Sequence, residues 1–150
     1  MIGFDGQVAI VTGAGRGLGR AHVLDLARRG AFVVVNDVGA AMVSGLGQDA
    51  SVAETVVAEI AATGGQASAD ATDVADPAAT EALMAGVIEA HGRVDILVCN
   101  AGNQRFLHFA ETTRADYDSL TSIHLGGSFN MARACWPHMA AAGYGRIIFT

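Results

Sequence analysis

The sequence predicts an α/β fold, a doubly wound parallel sheet, and three observations carry that prediction. Short runs rich in Val and Ile alternate along the chain with longer helical patterns, the signature of βαβ units. The first strand-to-helix turn is crowded with Gly13, Gly15, Gly17 and Gly19. A hydrophobic fraction of 51% with mean hydropathy +0.36 suits a sheet covered by helices on both faces.

The elements follow in order. Val8–Thr12 is the first strand, and a helix runs from about Gly17 to Arg29, with Arg28 and Arg29 against its dipole and Gly30 past its end. Ala31–Asn36 is the second strand, followed by a Gly-rich loop over Gly39–Asp49. The second helix spans about Ala50 to Thr63 and is stopped by Gly64–Gly65; Gln66–Ala71 is the third strand. Asp76 is positioned as an N-cap and Pro77 as the first residue of a helix to His91. Val94–Cys99 is the fourth strand. A short helix begins near Thr113, where Thr113 and Asp116 have capping-box spacing, and a separate long helix runs from about Tyr117 to Ala142, with a kink expected at Pro137. Arg146–Thr150 reads as a fifth strand, and a strand rich in Ile and Phe needs cover on both faces. The expectation is therefore a single domain that continues past Thr150.

Composition narrows the function. A net charge of −6 argues against a nucleic-acid footprint. Apolar runs such as Ala31–Val35 fall far short of the roughly 20 residues of a membrane helix. The start, MIGFDGQVAI, carries neither the basic nor the apolar region of a secretory signal, so a cytoplasmic protein is expected. Cys99 and Cys135 have no metal-ligand spacing and read as buried, reduced thiols; no metal is expected. All nine Lys and Arg residues are Arg.

The segment IVTGAGRGLGR lies where a strand ends and a helix starts. Backbone amides there favour a phosphate, and absent side chains let it approach. The spacing is not G-x-G-x-x-G, because Leu18 interrupts it, and a P-loop needs a Lys. Asp37 closes the second strand close to the roughly 20-residue distance at which an acid binds an adenosine ribose. A carboxylate there accepts hydrogen bonds from ribose hydroxyls and repels the 2′-phosphate of NADP. Arg16 pulls toward that phosphate, but a charge directly on the 2′-oxygen dominates, so NAD is expected.

Thr12, Gly13, Gly17 and Gly19 form T-G-x-x-x-G-x-G, and here the sequence resembles the short-chain dehydrogenase/reductase family. The resemblance covers essentially the whole chain and implies a Rossmann sheet in the order 3-2-1-4-5, the remainder of the sheet following. It implies that Asp73 and Val74 flank the adenine. VCNAG, Val98–Gly102, resembles the family's N-N-A-G with Cys99 replacing the first Asn; Asn100 would bond across backbone, while Ala101 and Gly102 leave room for a ribose. His124 stands where the family usually has an Asn that holds a relay water. The stretches IHLGGSF and WPHM, with YGRII and VVVND, look most like the hydroxyacyl-CoA dehydrogenase part of type 2 multifunctional enzymes.

The family's chemistry needs a Ser, a Tyr and a Lys four residues after that Tyr. Neither Tyr117 nor Tyr144 begins Tyr-x-x-x-Lys. The resemblance thus implies an NAD-dependent oxidoreductase acting on a hydroxyl or carbonyl substrate, a 3-hydroxyacyl thioester by subgroup, and a homo-oligomer. Two alternatives stay open: a nucleotide-binding module without catalysis, and another Rossmann-type enzyme such as a methyltransferase using S-adenosylmethionine. His22, His91, His108 and His138 form no ligand set and read as surface or helix-end residues.

Overall fold

The structure, a computed structural model, describes residues 2–39 and 51–150. The expected glycine-rich loop after Gly39 and the expected helix start at Ala50 lie outside the described residues.

Five strands, β1 (Val8–Thr12), β2 (Phe32–Asn36), β3 (Gln66–Asp70), β4 (Ile96–Cys99) and β5 (Arg146–Phe149), form one parallel sheet in the order β3-β2-β1-β4-β5. Central β1 is buried along its whole length. Successive strand side chains point to opposite faces, and two separate cores result. Ala9, Val11, Val33, Val35, Ile96 and Val98 pack with Val23, Val56 and Ile60 from α1 (Gly17–Arg28) and α2 (Ser51–Ala62). Val8, Ile10, Val34, Leu97 and Cys99 pack with Met84, Met131 and Cys135 on the other face, from α3 (Pro77–His91) and, further on, α5 (Ser128–Ala142). The double winding expected from the apolar runs is thus present.

The boundary signals act as expected at several ends. Asp76 accepts from the backbone N–H groups of Ala78 and Ala79, Pro77 opens α3, and Gly92 closes it in the left-handed region at φ 72°. Thr113 and Asp116 make the reciprocal capping box at the start of α4 (Arg114–Thr121). The region after it differs from expectation. Instead of a short helix near Thr113 followed by a separate one from about Tyr117, α4 runs through a π-helical stretch, Ser122–Gly127, into α5 without leaving helical backbone. Thr121, Ser122, Gly127 and Ser128 all keep right-handed helical backbone at the junctions. Pro137 sits inside α5 and does not end it. A short 3₁₀ turn at Phe109–Glu111, not foreseen, precedes α4.

Candidate nucleotide site

The strand order places a switch point between β1 and β4, and the crevice at the carboxyl ends of the strands is where such sheets bind ligands. Of the predicted cofactor-site residues, Gly13–Gly19, Asp37, Asp73–Val74 and Asn100–Gly102 lie on segments leaving β1 to β4 at that end, Thr12 closes β1, and His124 stands apart in Ser122–Gly127.

Thr12 is 1% exposed, and its hydroxyl accepts the backbone N–H groups of Asn100 and Ala101, both at 3.0 Å. It therefore acts from beneath, fixing the turn after β4. Asn100 returns the link: its side-chain amide donates to the carbonyls of Thr12 at 3.0 Å and Gly13 at 3.1 Å. This is the bond across backbone that the sequence suggested. Gly13 has φ +62°, and a Cβ there would stand 2.9 Å from the Ala101 Cα. At Gly19 a Cβ would run into the Gly13 carbonyl and stand 2.6 Å from the Asn100 amide nitrogen. The two glycines let the β1–α1 turn lie flat against the β4 turn. Gly17 opens α1, Arg16 is its exposed N-cap in extended backbone, and Leu18 is exposed.

Asp37 sits beside this turn. One carboxylate oxygen accepts the Gly15 N–H and the other the Gly39 N–H, both at 2.8 Å. A carboxylate has about four lone-pair sites, so capacity remains for two ribose hydroxyls. Asp73 is exposed, with one oxygen accepting the Ala75 N–H at 2.9 Å. Val74 is buried; it packs against Gly127 of the π stretch, and its carbonyl accepts the Asn130 side-chain amide at 3.0 Å.

His124 projects from the π stretch onto the β4 turn. Its Nε2 lies 3.1 Å from the Asn103 nitrogen and 2.8 Å from the Asn103 carbonyl oxygen, and a Cβ on Gly102 would touch the ring at 2.5 Å. Sequence reasoning passed over the supports of this loop. The Asn103 side chain donates to Ser119 Oγ at 2.9 Å, and Arg105 pairs with Asp116 at 3.3 Å. Hydrogen bonds from Thr113, first its hydroxyl and then its backbone, hold the Asp116 carboxyl below its usual range, with Arg105 adding to the effect. It also passed over Asn36, whose amide donates to Asp70 at 2.6 Å and to the Thr72 carbonyl at 2.9 Å. A polar residue closing a run of Val was the available signal.

Cys99 and Cys135 are buried free thiols, as expected. Burial pushes the Cys99 thiol up to about 11; burial, with Cys99 nearby, pushes Cys135 up to about 12. Among the described residues no group of three or more His, Cys, Asp or Glu could hold a metal, and no helix is long and apolar enough to cross a membrane.

Comparison with known proteins agrees with this geometry. The short chain dehydrogenase family matches residues 7–150. The chain is 46% identical over 147 residues to the peroxisomal multifunctional enzyme type 2 of Mus musculus, and 47% identical to that of Drosophila melanogaster. Those alignments cover 98% of this chain but only 20% and 24% of the relatives, so the chain spans about a fifth to a quarter of their length. Among solved structures, a metagenomic short-chain oxidoreductase in complex with NADP superimposes with a TM-score of 0.84 at 38% identity, covering 95% of this chain and 61% of that one. One expectation is corrected here. The cytoplasmic location read from the absence of a secretory signal is overturned by these relatives, which are named as peroxisomal enzymes. Receptor-read addresses are short motifs, and neither composition nor a missing signal peptide reports on them.

Proposed function

Because the chain belongs to the short-chain dehydrogenase family, we propose that it forms the cofactor-binding part of an NAD-dependent oxidoreductase acting on a hydroxyl or carbonyl substrate. The observation that carries the choice of cofactor is Asp37, held by the Gly15 and Gly39 amides at the end of β2. The residues fit the group. Cβ atoms at Gly13, Gly15 and Gly19 would collide with neighbouring segments, so glycines alone let this turn lie close against them ahead of the N-terminus of α1, where a phosphate is favoured. In this reading its amides bind the pyrophosphate, Asp37 accepts the adenosine ribose hydroxyls, and Asp73 and Val74 flank the adenine. Asn100, Ala101 and Gly102 leave space for the second ribose. The nicotinamide, when bound, takes or gives the hydride.

His124 serves in place of the usual Asn, holding the Asn103 backbone with one ring nitrogen and leaving the other for a relay water. The Ser, Tyr and Lys that exchange the proton belong, on this reading, to residues after Thr150. Exposed Ile148 and Phe149 on β5 support further chain beside it, and exposed Leu125, Phe129 and Trp136 support a homo-oligomer. The subgroup resemblance of the sequence favours a 3-hydroxyacyl thioester as substrate.

Side-by-side titration of the full-length protein with NADH, NADPH and S-adenosylmethionine tests the assignment. Tighter binding of NADH is expected. Equal or tighter NADPH binding would reverse the cofactor choice, and binding of S-adenosylmethionine alone would replace the dehydrogenase by a methyltransferase.

A further inference from the structure

We infer that Asn36 is the positioning residue of the adenosine end of the site, joining three cofactor-binding segments while itself buried out of the cofactor's reach. The inference rests on the nucleotide-binding reading above. Asn36 is 1% exposed, at the last ladder position of β2, with Thr12 beside it on β1 and Asp70 beside it on β3.

Its backbone carbonyl accepts the Ala14 N–H at 2.9 Å, which fixes the glycine turn. Its side-chain amide spends both hydrogens on the β3 side, on Asp70 Oδ1 at 2.6 Å and the Thr72 carbonyl at 2.9 Å. Asp70 in turn accepts the Thr72 N–H at 2.9 Å and the Thr72 hydroxyl at 3.1 Å, and its carbonyl accepts the Asp37 N–H at 2.9 Å. The chain then passes directly into Asp73 and Val74. The glycine turn hangs on the Asn36 backbone carbonyl and the ribose carboxylate on the Asp70 backbone carbonyl, and the Asn36 side-chain amide locks Asp70 and the adenine segment to that same β2–β3 rung.

The chemistry explains why the residue is Asn. Valine, which fills the three preceding positions, offers no donor, so the Thr72 carbonyl and Asp70 would lose their shared partner. Aspartate would set two carboxylates against each other. Buried amides with both donors engaged hold geometry well because any displacement strands a polar group.

The test uses calorimetric titration of the full-length protein with ADP-ribose, well below each variant's melting temperature. Asn36→Val and Asp70→Ala should each weaken ADP-ribose by about tenfold, the loss of a charge-assisted hydrogen bond. Asp70→Asn, which keeps an oxygen for both the Asn36 amide and the Thr72 N–H, should stay within about threefold of wild type. The Asn36→Val/Asp70→Ala double variant should bind no worse than about twofold below the weaker single variant, since both remove one link. Should Asn36→Val fail to fold, the Asp70→Ala and Asp70→Asn pair decides alone. Folded variants that bind ADP-ribose like wild type overturn the inference. A wild-type protein that ignores ADP-ribose overturns the nucleotide reading itself.

Discussion

On the β1–β2–β3 side of the sheet, the carboxyl ends are tied by side chains that reach from strand to strand. Asn36 bonds to Asp70 and Thr72, and Asp37 bonds to Gly15 and Gly39. On the β4–β5 side, the loop after Gly102 is pinned at Asn103 and Arg105 and then carries exposed Phe106 and Phe109. Leu125, Phe129 and Trp136 on the helical rod and Phe149 on β5 are exposed as well. The difference separates two jobs. On the proposed reading, the adenosine site is finished by backbone amides and one carboxylate on three neighbouring segments. A hydride-transfer site also needs groups that exchange a proton with substrate, and apolar surface on this side is where such groups and their cover would pack.

The comparison can be broken most sharply at the glycine turn. Gly19→Val places carbon against the Gly13 carbonyl and the Asn100 amide, so both sides of the crevice are pushed apart. Overpacking of this kind costs about 1–3 kcal/mol. Denaturant melts of the full-length variant should show that loss, and NADH binding should fall below detection.

Asp37→Ala attacks only the adenosine side. Losing a charge-assisted hydrogen bond costs about 1.5–3 kcal/mol, so NADH should weaken by about ten- to a hundredfold while NADPH gains relative to it. Fluorescence titration with both cofactors reads this; an unchanged ratio would remove Asp37 from the specificity argument.

His124→Leu attacks only the other side. The ring's Nε2 bond to the Asn103 backbone vanishes, while the glycine turn and Asp37 are untouched. Turnover in the full-length protein should drop by about a hundredfold, the lower end for a lost general acid–base element, with NADH affinity within about twofold. His124→Asn should recover much of the turnover. Steady-state kinetics distinguish the two constants.

The smallest effects are expected at the thiols. With Cys99 raised to about 11 and Cys135 to about 12 by burial, neither should react with iodoacetamide in the folded protein at pH 8. Because the folded thiols keep their protons beyond the ordinary value of 9.0, their contribution to stability is full below pH 9 and is lost as pH rises from there through about 11 and 12. Melting temperature should therefore decline across that window, and less steeply in Cys135→Ala. Rapid labelling at pH 8 without unfolding would contradict the burial.

Much of the geometry at the β1–β2–β3 end was legible in the sequence because its signals are local. Glycines at fixed offsets, an acid closing a strand, and Asp76–Pro77 each act within a few residues of themselves. Asn36 was not legible, since its role depends on β2–β3 register, and register is not written in either strand alone. The π stretch escaped for a related reason. A wider helical turn leaves no composition mark, and the long helix read from about Tyr117 carried the α-helical period straight through Ser122–Gly127. His124 was legible as a departure from the family's Asn, but its partner Asn103 was not, because the contact joins a helix to a loop distant in sequence.

Amide hydrogen exchange on the full-length protein, first with ADP-ribose and then with NADH, tests the central claim most directly. ADP-ribose should slow exchange at Gly13–Gly19, Asp37 and Asp73–Val74, and NADH should extend the protection to Ala101–Asn103. Protection confined to the β4–β5 side, or protection of the glycine turn by S-adenosylmethionine and not by ADP-ribose, would contradict the account.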